Sequence, residues 1–159
     1  MSNVTGCAAA PTTDPCSRCD VLLGVEGVHV EAVERDERTM TVTVSSPWQL
    51  MGCPTCGVIC PSRGRRRRIL RDVPAGQVRV RVVWRQRVWR CPEATCERGT
   101  FAEQIPTLVA ERGSITVRAV WWAIGQLRRE HGTILGLARQ LGTAWKTLWR
   151  AVYGDCASS

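Results

Sequence analysis

Two periodicities divide the chain near Pro106. Before it, Val78-Arg79-Val80-Arg81-Val82 alternates apolar with cationic positions, the period-two pattern of a strand with one buried and one solvated face. Ile69, Leu70 and Val73 mark a preceding strand over about 65–73, and Pro74-Ala75-Gly76 supplies a turn that folds the two into a hairpin. After Pro106 the apolar residues Val117, Val120, Trp121, Ile124 and Leu127 recur at helical spacing. They predict a helix over roughly 115–130, ended by His131-Gly132. Thr133 is placed to cap a short second helix carrying Ile134, Leu137, Ala138 and Leu141, which Gly142 breaks. Thr143 then caps a third with Trp145, Leu148, Trp149 and Val152. The expected fold class is α+β, a small β-rich unit followed by three helices.

Charge sharpens the first half of this pattern. The 159 residues carry a formal +8, but residues 1–62 balance at −4, residues 63–90 at +10 with eleven arginines against Asp72, and the remainder at +2. The excess therefore lies in the hairpin, and only one basic residue in the chain, Lys146, is a lysine. Guanidinium groups pair bidentately with phosphate oxygens, so Arg65, Arg66, Arg67, Arg68, Arg79 and Arg81 are candidate phosphate contacts. The competing reading is a solvated charged face with no partner.

Two cysteine pairs bracket the hairpin: Cys53-Pro54-Thr55-Cys56-Gly57 before it and Cys91-Pro92-Glu93-Ala94-Thr95-Cys96 after it. A two-residue spacer lets both thiolates of the first pair converge on one tetrahedral ion, and Gly57 permits the tight backbone that follows. With the second pair, the four cysteines read as a zinc ribbon whose Arg-rich hairpin lies between the ligand loops. Four reduced cysteines without a metal are the alternative. No apolar run is long enough for a membrane span, and the N-terminus lacks the pattern of a secretory signal, so a cytoplasmic, reducing location is expected, where close cysteines favour metal over disulfide. Cys16 and Cys19 form another CxxC, with no matching pair downstream, and read as incidental. Cys7, Cys60 and Cys156 have no partner at ligand spacing. A nucleophilic cysteine would need a base, and neither His29 nor His131 lies near a cysteine in sequence.

The last two helices have helix-turn-helix proportions. Ala138 and Gly142 stand where a small residue and a turn glycine let one helix cross the other, with Leu137, Leu141, Leu148 and Ala151 as the expected core. The third helix would then enter the major groove, led by Thr143, Ala144, Lys146 and Thr147, with Arg150 further on, while Arg139 and Gln140 face the DNA backbone. A three-helix bundle that packs on another element is the alternative.

The whole resembles the N-terminal half of bacterial insertion-sequence transposases of the ISL-three family. The resemblance rests on Leu22-Leu23-Gly24-Val25-Glu26-Gly27-Val28, Gly52-Cys53-Pro54-Thr55-Cys56-Gly57, Leu70-Arg71-Asp72-Val73-Pro74, Val83-Trp84-Arg85 and Arg87-Val88-Trp89-Arg90-Cys91-Pro92. It continues through Gly99-Thr100-Phe101-Ala102-Glu103-Gln104, Ala138-Arg139-Gln140-Leu141-Gly142 and Trp145, and spans about Val21 to Tyr153. It implies that Cys53, Cys56, Cys91 and Cys96 bind zinc and that the helices bind DNA. It also implies a hairpin over Val28 to Ser45, where Met40, Val42 and Val44 alternate with polar residues. Full-length members continue into a nuclease-like domain with three metal-binding acids, which this chain is expected to lack, so no catalytic residue is assigned and an enzyme is not expected.

The resulting expectation is a flexible leader at 1–20, a β-rich module at 21–104 with the zinc ribbon at 53–104, a linker at 105–114, a helix-turn-helix domain at 115–153 and a tail at 154–159. Its function would be binding to double-stranded DNA at transposon terminal repeats, as the non-catalytic part of a transposase. A stand-alone repressor of transposition is the alternative. A homo-oligomer or an intact transposase is a possible protein partner, and no membrane association is expected.

Overall fold

The structure, a computed structural model, describes residues 3–4 and 17–157. Its strands are β1 (Asn3–Val4), β2 (His29–Arg35), β3 (Thr39–Ser45), β4 (Ser62–Ala75), β5 (Val78–Arg90) and β6 (Thr100–Ala102). Its helices are α1 (Ser17–Leu23), α2 (Val117–Arg129), α3 (Ile134–Leu141) and α4 (Trp145–Ala157). The fold is α+β around one mixed sheet of order β1-β2-β3-β5-β4, with β6 added to the end of β5.

Local chemistry explains the two hairpins. Between β2 and β3, Asp36 Oδ1 accepts from the amides of Arg38 and Thr39 at 2.8 and 2.7 Å, an Asx-type turn. Between β4 and β5, Gly76 takes φ 64°, a left-handed conformation that a side chain would strain. The two hairpins join through a parallel seam of β3 on β5, with Met40 opposite Val80, Val42 opposite Val82 and Val44 opposite Trp84. These residues fill one face of the sheet together with Leu70 and Val30, and the burial of Trp84, Leu70 and Val44 is complete.

Leu23, Val28, Leu108 and Val109 close that core. The segment 105–114 is therefore not the free linker that its position between the two patterns suggests. Leu108 and Val109 are almost fully buried, which by itself favours holding the segment down by about 1.5–3 kcal/mol per large side chain. Beyond them the backbone adds to the outer edge of β4: the Arg71 amide donates to Ser114 at 2.8 Å and the Thr116 amide donates to Arg71 at 2.9 Å. Most of the expected leader, including Cys7 and Cys16, lies outside the described residues. Its last part is ordered differently from a leader, because α1 begins at Ser17 and Asp20 accepts from the Val30 amide at 2.7 Å.

One attachment of the helices to the sheet runs through a buried carboxylate. Asp72 is 0% exposed and accepts from the Thr116 hydroxyl at 2.6 Å, while Thr116 in turn caps α2 by accepting from the Ala119 amide. Arg118 donates to both Asp72 oxygens and to the Leu23 carbonyl, so β4, α2 and α1 meet at a single guanidinium. The buried side of α2 is Ala119, Val120, Ala123 and Ile124. Trp121, which the apolar spacing puts inward, is 51% exposed, because the two alanines let the other helices approach closely on the neighbouring side. Thr133 caps α3 by accepting from the Gly136 amide, and Gly142 ends it at φ 70°. Thr143 does not cap α4; the helix begins at Trp145, so Ala144 takes the capping position and its carbonyl accepts from the Thr147 and Leu148 amides. Leu137, Ala138, Leu141 and Leu148 form the helical core as the spacing predicts, with Ala151 partly buried against it. The expected tail at 154 is still helix, since α4 extends to Ala157.

Candidate functional site

The two cysteine turns face each other at one end of the β4–β5 hairpin. In the first, the Gly57 amide donates to the Cys53 carbonyl and the Cys53 amide to the Val58 carbonyl, both at 2.8 Å, with Gly57 at φ 77°. In the second, the Cys91 amide donates to the Gly99 carbonyl at 2.8 Å and Gly99 sits at φ 61°. The sulfurs of Cys53, Cys56, Cys91 and Cys96 all lie within 4.8 Å of one another. Cys53 Sγ is 3.7 Å from Cys96 Sγ, and Cys56 Sγ is 3.5 Å from Cys91 Sγ. A tetrahedral thiolate site with bonds of about 2.3 Å separates its sulfurs by about 3.8 Å, so these four are close enough to hold a metal ion, with shifts of about 1 Å or less.

Their acidities differ for physical reasons. The Cys56 amide, and then the Thr55 amide, hold the Cys53 thiol down to about 6, whereas burial pushes Cys91 up to about 12. Trp89 and Phe101 pack against the cluster and exclude water from one side. Cys60 belongs to the same apolar cluster but not to the group of four converging sulfurs, and its thiol donates to the Val58 carbonyl at 3.3 Å. Burial, and next the charge of Cys53, raise its pKa.

Strand register sorts the arginines. Directly opposed residues of an antiparallel pair project from the same face, and here Arg65 opposes Arg87, Arg67 opposes Arg85 and Arg71 opposes Arg81. Ile69 and Val83 sit between these pairs. Arg65, Arg67 and Arg85 are exposed, Arg71 and Arg81 half-buried, and Arg87 buried beside the Trp89 ring at 5.5 Å. Among the described residues one carboxylate pairs with this row: Glu31 accepts from Arg85 at 2.8 Å and from Arg65 at 3.3 Å. Burial raises the Glu31 pKa, but the bonds from Ser45 and Arg85 outweigh it and hold the group below the usual carboxylate range.

Two candidate phosphate contacts fall elsewhere. Arg66 opposes Gln86 and Arg68 opposes Trp84, so both project from the other face, because a strand alternates and a run of four arginines must split two and two. Arg66 Nε donates to Gln86 at 2.7 Å, and Arg68 donates to the Gly113 carbonyl while lying over the Trp84 ring at 5.9 Å. Arg79 is exposed on the first face, yet its Nε donates to the Arg139 carbonyl at 3.1 Å and its chain rests on Gly142. It ties the hairpin tip to the end of α3. Arg81 Nε is buried without a partner.

On the helices, Arg139, Gln140, Ala144, Lys146 and Arg150 are exposed, and Thr143 and Thr147 are half-buried. Trp145 and Trp149 are 50% and 49% exposed rather than core, with the Lys146 ammonium 5.8 Å over the Trp145 ring and Trp149 stacked on Tyr153. Arg71, Arg85 and Glu31 belong to the cationic face but are missed by a reading that stops at the densest charge. Extending the period-two count along both strands would have found the two arginines; Glu31 needed the sheet order. No helix among the described residues is long and apolar enough to cross a membrane. Searched against protein-family models, curated proteins and solved structures, the chain has no match.

Proposed function

We propose that the chain binds double-stranded DNA, with the β4–β5 arginine face on phosphates and the α3–α4 pair acting as a helix-turn-helix. The observation that carries this reading is the set of three Arg–Arg cross-strand pairs on one face, with Glu31 as the one carboxylate among the described residues that forms ion pairs with them. Like charges directly opposed across strands destabilise a sheet, so the face costs folding energy that a bound polyanion offsets. Arg65, Arg67, Arg71 and Arg85 supply the phosphate contacts in this reading, with Arg81 offering an unpartnered Nε behind them.

The helices add base reading. Ala138 and Leu141 pack inward beside the left-handed Gly142, which leaves the start of α4 free to enter a major groove with Ala144, Lys146, Thr147 and Arg150. The bond from Arg79 to the α3 carboxyl end would hold the arginine face and this helix in one orientation. Four thiolates at tetrahedral separation suit zinc, bound by Cys53, Cys56, Cys91 and Cys96, which would supply folding energy to a small ribbon. The resemblance to ISL-three transposases points to transposon terminal repeats as the DNA and to another transposase molecule as a protein partner. A fluorescence-anisotropy comparison tests the reading: a terminal-repeat duplex should bind at least about ten-fold more tightly than a scrambled duplex at physiological salt. Tighter binding to an RNA duplex of the same sequence would overturn it.

A further inference from the structure

The outer edge of β4 carries a separate feature. Arg66, Arg68 and Arg112 line one open cleft of about 470 Å³ there, together with Gln104, Glu111 and Ser114, with Ile69 and Gly113 completing its wall. The volume lies in the range of small-molecule sites, about 300–1,000 Å³.

Two of the three guanidiniums are held in place from behind. Arg66 is oriented by Gln86, which is fully buried and itself anchored by donating to the Glu103 carbonyl at 2.7 Å. Arg68 is fixed between the Gly113 carbonyl and the Trp84 ring. Arg112 comes from the loop before α2 and sits at φ 61°, a left-handed conformation uncommon for a residue with a side chain. Among the described residues none of the three forms an ion pair; Glu111 lines the cleft without one. Burial, and then the charge of Arg66, lower the Arg68 pKa, a sign that positive charge is under-compensated there.

We propose that this cleft binds a phosphate monoester, as a second anion site at the outer edge of β4, apart from the duplex-binding arginine pairs. Planar guanidinium forks held from behind match the several charged oxygens of a terminal phosphate, and three positive groups against one carboxylate favour a dianion over a diester. The group can come from a free nucleotide or from the 5′ end of a nucleic-acid strand. The inference stands apart from duplex binding, because Arg66 and Arg68 alternate away from the arginine pairs and Arg112 comes from the segment beside β4.

Calorimetric titration of the full zinc-loaded chain tests it, with inorganic phosphate, AMP, adenosine and a 5′-phosphorylated dinucleotide as probes. AMP should bind saturably and at least about ten-fold more tightly than adenosine. Arg112→Ala, at an exposed position, should weaken AMP about ten-fold, and Glu111→Gln should tighten it several-fold. Arg67→Ala should leave AMP within about two-fold while weakening duplex DNA. A dinucleotide that binds more tightly than AMP identifies a strand end as the source, and the reverse order identifies a free nucleotide. Equal binding of AMP and adenosine, or an Arg112→Ala variant that binds AMP as the wild type does, would overturn the proposal. Loss of AMP binding in Arg67→Ala would do the same. Failure of duplex binding with AMP binding intact would remove the DNA reading and leave the cleft.

Discussion

A single residue, Asp72, shows how much of this protein rests on local chemistry. It is the one acid in the basic stretch, and the sequence offers no hint that it is the fully buried partner of Thr116 and Arg118. That role depends on α2 reaching the edge of β4, a long-range fact that no local pattern carries. Removing one partner of a buried ion pair costs about 3–5 kcal/mol, and Arg118, at 35% side-chain exposure, can turn to water and recover part of this. Asp72→Ala should therefore lose about 2–3 kcal/mol in urea unfolding; a loss below about 1 kcal/mol would show that the staple is dispensable. The cysteines, by contrast, are legible at this scale, since their spacing alone selects the four that converge and leaves Cys60 out. Cys53 has its pKa depressed to about 6, so its thiolate contributes stability that is full above the ordinary thiol range and is lost as pH falls through about 6. Protons compete with the ion for all four thiolates, so metal release followed with a chromogenic chelator should rise as pH is lowered, with loss of the 53–104 fold by circular dichroism. Release that is flat down to about pH 4 would contradict a thiolate site.

At the scale of elements, the two periodicities identify the hairpin and the three helices, and Thr133 and Gly142 act as the caps their types suggest. The arginine faces are not legible in the same way. A strand pattern tells which residues alternate, whereas register decides which arginine meets which, and the split of Arg65 and Arg67 from Arg66 and Arg68 follows from the period alone once the strand is known to begin at Ser62. Trp121 fails for a packing reason, because Ala119 and Ala123 make the closer-fitting side. Gly142 serves two elements at once, as the end of α3 and as the seat of Arg79, where an added Cβ would meet Arg79 Cδ at 3.1 Å. Gly142→Ala should cost about 1–2 kcal/mol from the left-handed backbone, with a further loss if Arg79 is pushed off the Arg139 carbonyl. Thermal unfolding beside an Arg79→Ala control measures both, and an unchanged midpoint in Gly142→Ala would show that the hairpin–helix joint is not constrained there.

For the whole molecule, the sheet and the helices keep separate apolar cores, and the segment between them is packed, with Leu108 and Val109 closing the sheet core and residues 114–116 extending its edge. The composition break at Pro106 is real, but a short apolar pair inside a polar stretch carries too little pattern to announce that it is core. Charge behaves in the opposite way, since its segregation into residues 63–90 is visible in the sequence, and the fold then divides it, with Arg65, Arg67, Arg71, Arg81 and Arg85 on one face and Arg66 and Arg68 on the other. The first of these faces is the central claim, and the salt dependence of duplex affinity tests it most directly. Plotted as log affinity against log salt, the wild-type chain should give a steep negative slope, and Arg67→Ala should reduce its magnitude by about one on related and unrelated sequences alike. A slope that Arg67→Ala leaves unchanged, or that is near zero in the wild type, would contradict phosphate binding by the arginine face.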